Sequence, residues 1–339
     1  MFNTFQISKS NLINNIKQVK LNNPNSLICA MVKANAYGVG LKEVVAVIDD
    51  HVDYYGVACF FEAKALARLT NKKILILGAL DLDNIDSRFS YSCNSLEELE
   101  YLIRQNITIN VHLKVNTGMN RYGFDNIKDF KTAIKKIKKS KLTLEGVYTH
   151  FATTDDFVDV QYSKFVAFMS TCQADRASII FHADNSFVNQ KFNHLLSMVR
   201  IGFSLYNRHD FDFRPVAKIL THIVQTHRIK KGELVGYDYR FVAKEDMLVA
   251  TIPIGYADGY DMKYIGIDLY VKGKRIKVLN ICMDCTMLDI SNTGLNKGDE
   301  IYILDEINSL SLYSKYVSTS EYEIMTKFSH MRAVRELID

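Results

Sequence analysis

From Ser26 to about Ser204, short apolar runs alternate with amphipathic stretches. The runs Leu27–Val32, Tyr54–Cys59, Ile74–Gly78, Ile109–Val115, Leu144–His150, Ser178–His182 and Val199–Phe203 read as buried strands. Between most of them, apolar residues recur at helical spacing, as in Glu62–Leu69, Ser95–Arg104 and Asp125–Lys138. In the last, Ile127, Phe130, Ala133, Ile134 and Ile137 fall on one face. Strand followed by helix, repeated every twenty to thirty residues or roughly so, predicts parallel βα units. Six or more such units within about 200 residues predict a closed (β/α)8 barrel. An open doubly wound sheet stays compatible with the pattern, because periodicity does not show closure.

After Phe203 the character changes. The segment from Arg208 to Pro215 is polar, ends in proline and reads as a linker. Beyond it come strand-like runs: Ile219–Arg228, Leu248–Ile254, Ile267–Val271, Lys277–Cys282, Thr286–Ile290 and Glu300–Leu304. Lys272-Gly273-Lys274 and Lys297-Gly298-Asp299 punctuate them as turns. The predicted fold class is therefore α/β: a (β/α)8 TIM-type barrel over residues 9–210, then a mostly-β domain over 211–339.

Composition narrows the function classes. The chain has 339 residues, of which 48% are apolar and 24% charged, an ordinary globular balance. Its net charge of +4 is too small to make nucleic acid the default partner. It has no apolar run of the ~18 residues that a membrane helix needs. Residues 1–10 carry no basic-then-apolar leader, so a cytoplasmic location is expected. Six scattered cysteines suggest reduced thiols. The Cys282-Met283-Asp284-Cys285 spacing resembles half a metal or redox site, but one pair supplies only two ligands, so no metal is expected. The basic run Lys135–Lys141 falls at a predicted helix end, where cations suit the dipole, and reads as a solvated face.

Chemistry in a parallel barrel sits at the C-terminal ends of its strands. Lys33 follows the first predicted strand. Position alone allows a snorkelling surface lysine or a Schiff-base lysine whose amine condenses with a carbonyl. Its flanks decide between them. Val32-Lys-Ala-Asn-Ala-Tyr-Gly38 closely resembles the pyridoxal-phosphate attachment motif of the alanine racemase family. Leu113–Gly123, Gly146–Ala152, His182–Ser186, Met198–Gly202, Ile252–Gly259, Cys282–Asp284 and the stretch at Tyr322 resemble that family in the same order.

The resemblance covers nearly the whole chain. It implies a cofactor-bearing barrel and a C-terminal β domain with which residues 1–8 also pair. It implies pyridoxal 5'-phosphate on Lys33, with Lys33 and Tyr256 as acid/bases on opposite faces of the substrate. Tyr256 would come from the other subunit of a homodimer, and His150 would hydrogen-bond it. Arg200 matches the arginine on the pyridine nitrogen. It keeps its proton, so the ring nitrogen stays unprotonated and the reaction stays with a single α-proton. Arg121 matches the arginine near the cofactor phenolic oxygen and the substrate carboxylate. Lys114 matches a lysine, often carbamylated, that steadies it.

Tyr37, Ser186, Gly202 and the amide of Phe203 match the phosphate grip, with Asn185 supporting the loop. Met283 matches the residue whose amide meets the substrate carboxylate, with Asp284 beside it. Two positions depart from the pattern. His330 replaces a pocket tyrosine that touches the phosphate, and Asn280 replaces an arginine of the access corridor. The implied function is interconversion of L- and D-alanine, supplying D-alanine for peptidoglycan. Alternatives are a broad-specificity or serine racemase and a non-catalytic pyridoxal-phosphate carrier. A decarboxylase of the same architecture would be expected to carry a carboxylate at position 200.

Overall fold

The computed structural model describes residues 3–153, 156–175, 177–183, 196–207, 212–238 and 240–339. The chain forms two compact units. One holds Ile13–Ala34 and Val45–Phe213; the other holds Met1–Leu12, Asn35–Val44 and Arg214–Asp339. After strand β1 (Thr4–Ser8), which belongs to the second unit, the first unit lays down eight parallel strands. They are β2 (Leu27–Met31), β3 (Tyr54–Val57), β4 (Lys73–Ile76), β5 (Ser90–Cys93), β6 (Asn110–Lys114), β7 (Thr143–Thr149), β8 (Ile180–Ala183) and β9 (Met198–Ile201). Their order is β8-β7-β6-β5-β4-β3-β2-β9. The two ends approach each other, with Ser197 N–H donating to the Phe181 carbonyl at 2.8 Å. The result is a nearly closed (β/α)8-like barrel, as the alternation predicts.

Strand β5 is absent from the sequence-based prediction. Ser90-Tyr-Ser-Cys93 contains no apolar run, yet all four residues are buried. Its polarity is used inside the barrel. The Ser90 hydroxyl donates to Glu145 Oε2 at 2.5 Å, and Ser92 and Tyr148 share a hydrogen bond of 2.8 Å. Glu145 reaches the interior through a register slip between β6 and β7: Val111 pairs with Leu144 and His112 with Gly146, leaving Glu145 as the extra residue. Such bulges re-aim a side chain. Gly146 then makes room, since a Cβ there would lie 2.2 Å from His112 Nδ1.

The outer helices follow their predicted faces. Ser95 caps Leu96–Arg104 by accepting the Glu98 N–H at 3.2 Å, and Asn126 caps Ile127–Ile137 through Asp129 N–H at 2.9 Å. The second helix buries Phe130, Ala133, Ile134 and Ile137, while Ile127, at its first position, is exposed. The helix predicted over Glu62–Leu69 spans Phe60–Leu66. The basic run is solvated: Lys135, Lys138, Lys139 and Lys141 are exposed.

The second unit continues with β10 (Ala217–His222), β11 (Gln225–Ile229), β12 (Met247–Ile252), β13 (Asp268–Val271), β14 (Lys274–Ile281), β15 (Thr286–Asp289), β16 (Glu300–Leu304) and β17 (Val334–Ile338). They form two sheets, β16-β10-β1-β17 and β11-β12-β15-β14-β13. β1 pairs antiparallel with β10 and parallel with β17. The single strand expected over Ile219–Arg228 is two. At the break, Ile223 N–H donates to Asp299 and Val224 N–H to Thr251, so the main chain passes from one sheet to the other. No helix among the described residues is long and apolar enough to cross a membrane.

Candidate functional site

Parallel strands bring their C-terminal ends to one face. Lys33 lies just past β2, Lys114 ends β6, His150 follows β7, and His182 and Arg200 stand on β8 and β9. Arg200 is only 5% exposed. A buried guanidinium needs acceptors. It donates through Nη2 to the Thr149 carbonyl at 2.9 Å and, at 3.5 Å, to His150 Nδ1. Through Nη1 it meets His182 Nδ1 at 2.5 Å. Arginine only donates, so His182 Nδ1 accepts and its proton sits on Nε2. That nitrogen donates to His112 Nδ1 at 2.8 Å, and His112 Nε2 donates to Glu145 Oε2 at 3.1 Å. The tautomers, assigned from this network, run in one direction from the cation to the carboxylate.

Glu145 closes the chain as an anion. Burial alone would raise its pKa, but hydrogen bonds from His112, Lys73 and Ser90 outweigh that and hold it well below the usual carboxylate range. Burial lowers the pKa of His112 and, far more, of His182, with Arg200 adding to both. Both imidazoles are therefore neutral. Tyr148 forms a floor beside them. Its ring stacks on His182 at 4.8 Å and lies under the Arg200 guanidinium at 5.1 Å and Lys114 Nζ at 5.5 Å. Cations favour such faces.

Above this floor the site is crowded with positive charge. Burial, then Arg121, Arg200 and Lys33, push the Lys114 ammonium down to about 8. Burial, then Arg121, lowers the Lys33 pKa, while Glu62 opposes. His150 is driven down to about 3 by burial, then by Arg200, Arg121, Lys114 and Lys33. Among the described residues Lys114 has aromatic rings, Tyr122 and Tyr148, and no carboxylate as partners. The cluster suits an anionic ligand. Arg121 rides an exposed loop organised by Asn116, whose Oδ1 accepts the Gly118 and Asn120 amides at 3.1 and 3.0 Å.

Lys33 opens a single helical turn, Lys33–Tyr37, of the wrong hand. Ala34, Asn35, Ala36 and Tyr37 have φ of 51, 54, 54 and 56°. Left-handed turns of non-glycine residues cost about 1–2 kcal/mol per residue and persist only where the surroundings impose them. In the barrel unit Glu62 helps to do so, accepting the Ala34 and Ala58 amides at 2.7 Å each. In the second unit Asn35 bonds the Ser329 carbonyl at 3.2 Å and the Leu41 amide at 2.8 Å. Tyr37 is buried there, its ring 6.5 Å from that of Tyr322.

Tyr256 is 43% exposed and begins the short turn Tyr256–Asp258 of the second unit. Its amide donates to the Cys282 carbonyl at 3.0 Å, and the Ala257 amide to Met283 at 3.1 Å. Gly255 permits this approach, because a Cβ there would sit 2.3 Å from both carbonyl oxygens. Arg332 braces the pair of turns. It bonds buried Asp258 at 2.7 and 2.9 Å and exposed Asp284 at 2.6 Å. Met283 is exposed. Asn280 is buried at a register irregularity and bonds the Val235 and Tyr237 carbonyls at 2.9 and 3.2 Å. His330 is exposed.

Gly202 and Phe203 are buried just past β9. Asn185 and Ser186 lie outside the described residues. Glu62, His112, Glu145, Tyr148, His182 and Arg332 have positioning contacts that no sequence assignment foresaw. The signal available was weak: two histidines and a tyrosine on predicted strands, where apolar residues are the norm.

Residues 7–209 match the family model "Alanine racemase, N-terminal domain", and residues 216–336 match "Alanine racemase, C-terminal domain". The alanine racemase of Francisella philomiragia is 32% identical over 99% of this chain and all of its own length. Among solved structures, alanine racemase from Bacillus anthracis with bound L-Ala-P aligns with a TM-score of 0.91 at 26% identity, covering 99% of this chain and 94% of that one. Alanine racemase from Bartonella henselae with covalently bound pyridoxal phosphate shares the fold, with a TM-score of 0.89 at 22% identity over the whole of both chains.

The neutral histidines set an acid limit. Unfolded imidazole titrates near about 6.5, whereas His150 titrates near 3 in the fold and His112 and His182 are also lowered. Their folded-state pKa values lie below the unfolded one, so their contribution is whole above about pH 6.5 and is lost as pH falls below it. Urea midpoints are expected to drop between about pH 6.5 and pH 4.5, each histidine adding a slope of up to about 1.4 kcal/mol per pH unit. A flat midpoint over that range would show these histidines already charged in the fold.

Proposed function

The chain belongs to the alanine racemase family, and on that premise we propose which of its residues carry out the reaction. The family's activity is the pyridoxal-phosphate-dependent interconversion of L- and D-alanine. The match to the family's C-terminal domain over residues 216–336 removes the carrier alternative. The observation that carries the site assignment is the convergence of Lys33, Lys114, Arg121 and Arg200, whose charges depress one another's neighbours. Such a surplus fits a ligand with a phosphate and a phenolic oxygen. When bound, pyridoxal phosphate supplies the electron sink that makes an amino acid's α-proton acidic.

Lys33 holds the cofactor through Nζ, and its lowered pKa favours the free amine that this requires. The amine then takes or returns the α-proton on one face. Tyr256 of the partner subunit serves the opposite face through its phenolic oxygen, in a homodimer with composite sites. Arg200 donates to His150 Nδ1, which leaves the His150 proton on Nε2. From there it donates to the Tyr256 oxygen and steadies it after proton loss. Arg200 would also donate to the pyridine nitrogen of the bound cofactor. Its other donors are committed to Thr149 and His182, so it stays charged and fixed.

By the family resemblance, Tyr37, Ser186, Gly202 and the Phe203 amide would hold the phosphate, and Asn185 and His330 would support them. Arg121 and the Met283 amide receive the substrate carboxylate, and Asp284 holds the Met283 turn through Arg332. With a pKa of about 8, Lys114 offers neutral amine at neutral pH. Its nitrogen attacks carbon dioxide and releases a proton to solvent; the carbamate anion pairs with Arg121. The protein works in the cytoplasm, and its D-alanine supplies peptidoglycan.

Chiral chromatography of products from L-alanine and, separately, from D-alanine tests the two-base assignment. The wild type is expected to form the opposite enantiomer from each, and Tyr256→Phe to lose about 10²–10⁴-fold in racemisation. Wild-type rates in both directions for that variant would remove Tyr256 from the mechanism. Carbon-13 NMR in labelled bicarbonate tests Lys114 separately. A carbamate signal is expected in the wild type and absent in Lys114→Arg; the same signal in both would place the carbamate elsewhere.

A further inference from the structure

Cys282 and Cys285 flank the turn Met283-Asp284 between β14 and β15. Ile281 pairs with Thr286, and the ladder runs one step further: Cys282 N–H donates to the Cys285 carbonyl at 2.8 Å. Residues facing each other across antiparallel strands have Cα atoms about 4.5–5.5 Å apart, inside the ~4.4–6.8 Å that a disulfide spans. Cys282 and Cys285 therefore face one another across the turn. Both are free and partly exposed, and both line a groove with Tyr237, Tyr256 and Met287. By contrast Cys29, Cys93 and Cys172 are buried. Burial and the neighbouring sulfur raise the Cys285 pKa, so its proton is retained beside Cys282. A raised pKa withholds Cys285 as the first nucleophile.

We propose that Cys282 and Cys285 form a thiol–disulfide exchange site for low-molecular-weight disulfides. Cys282, as thiolate, attacks one sulfur of the small disulfide; a mixed disulfide forms and the other half leaves as thiolate. Cys285 then gives its proton to solvent and attacks the Cys282 sulfur. The Cys282–Cys285 bond forms and the second half leaves as thiolate. The pair loses two electrons, and the small disulfide is reduced to two thiols. The hairpin carries the carbonyls that bond Tyr256 and Ala257, so closing the pair clamps the two ends of the turn that presents Tyr256. This effect on racemisation rests on the role proposed for Tyr256; the exchange chemistry does not.

The test incubates holoprotein with oxidised glutathione, blocks free thiols with iodoacetamide and reads the peptides by mass. The wild-type peptide carrying both cysteines is expected to lose two hydrogens and take no alkyl group. Cys285→Ser is expected to stop at a glutathione adduct on Cys282. Two alkyl groups on the wild-type peptide, or an adduct on Cys282 with Cys285 alkylated, would overturn the proposal. In the same samples racemisation by the wild type is expected to fall several-fold and to recover with dithiothreitol, while Cys285→Ser kept from oxidised glutathione is expected to retain the wild-type rate. Unchanged racemisation in fully closed protein would overturn the coupling to Tyr256. If reduced wild type forms no D-alanine, the functional reading fails while the peptide result still stands.

Discussion

A guanidinium held in the middle of a barrel governs what surrounds it. Arg200 is nearly inaccessible, and a buried charge is tolerated only when it is paired and hydrogen-bonded. Among the described residues the pairing runs through other side chains. Two imidazoles pass the interaction from Arg200 to Glu145, and Lys73, Ser90 and Tyr54 satisfy the far end. Each requirement shapes the chain. A polar strand supplies Ser90 and Ser92, a bulge turns Glu145 inward, and a glycine at 146 clears space for His112. Because the imidazoles are neutral and directional, the guanidinium is oriented without being discharged. An arginine so fixed keeps the site electropositive, and burial, with Arg121 and Arg200 adding to it, depresses Lys33, Lys114 and His150.

The reactive groups are positioned largely by main chain. Lys33 leads into a left-handed turn that Glu62 braces at its first amide. Tyr256 is set by amide bonds from its own turn to the Cys282–Met283 hairpin, and Arg332 ties the acids of both turns together. Both devices place a side chain by restricting backbone, which suits the proton-exchanging roles proposed for Lys33 and Tyr256.

Much of this was legible in the sequence, for identifiable reasons. Seven barrel strands announce themselves as apolar runs because their outer faces pack under helices. Ser90–Cys93 hides because its inner face is polar. The long run Ile219–Arg228 conceals a change of sheet, since a strand that switches partners keeps its β pattern. Lys33 and Tyr256 are singled out only through long motifs; neither residue type is distinctive alone. His112, His182 and Glu145 escaped because they act through Arg200, from positions distant in sequence and united only by the closing of the barrel. Arg332 escaped because it serves two turns that meet only in the folded unit.

Nitrogen-15 NMR of histidine-labelled holoprotein at neutral pH tests the central claim most directly. His112 and His182 are predicted to be neutral imidazoles, each with its proton on Nε2, and to remain so in the Glu145-containing wild type down to mildly acidic pH. Loss of that pattern in Glu145→Gln would fit the same account. An imidazolium at either position, or a proton on Nδ1 of His182, would contradict it, because Arg200 would then face a donor in place of an acceptor.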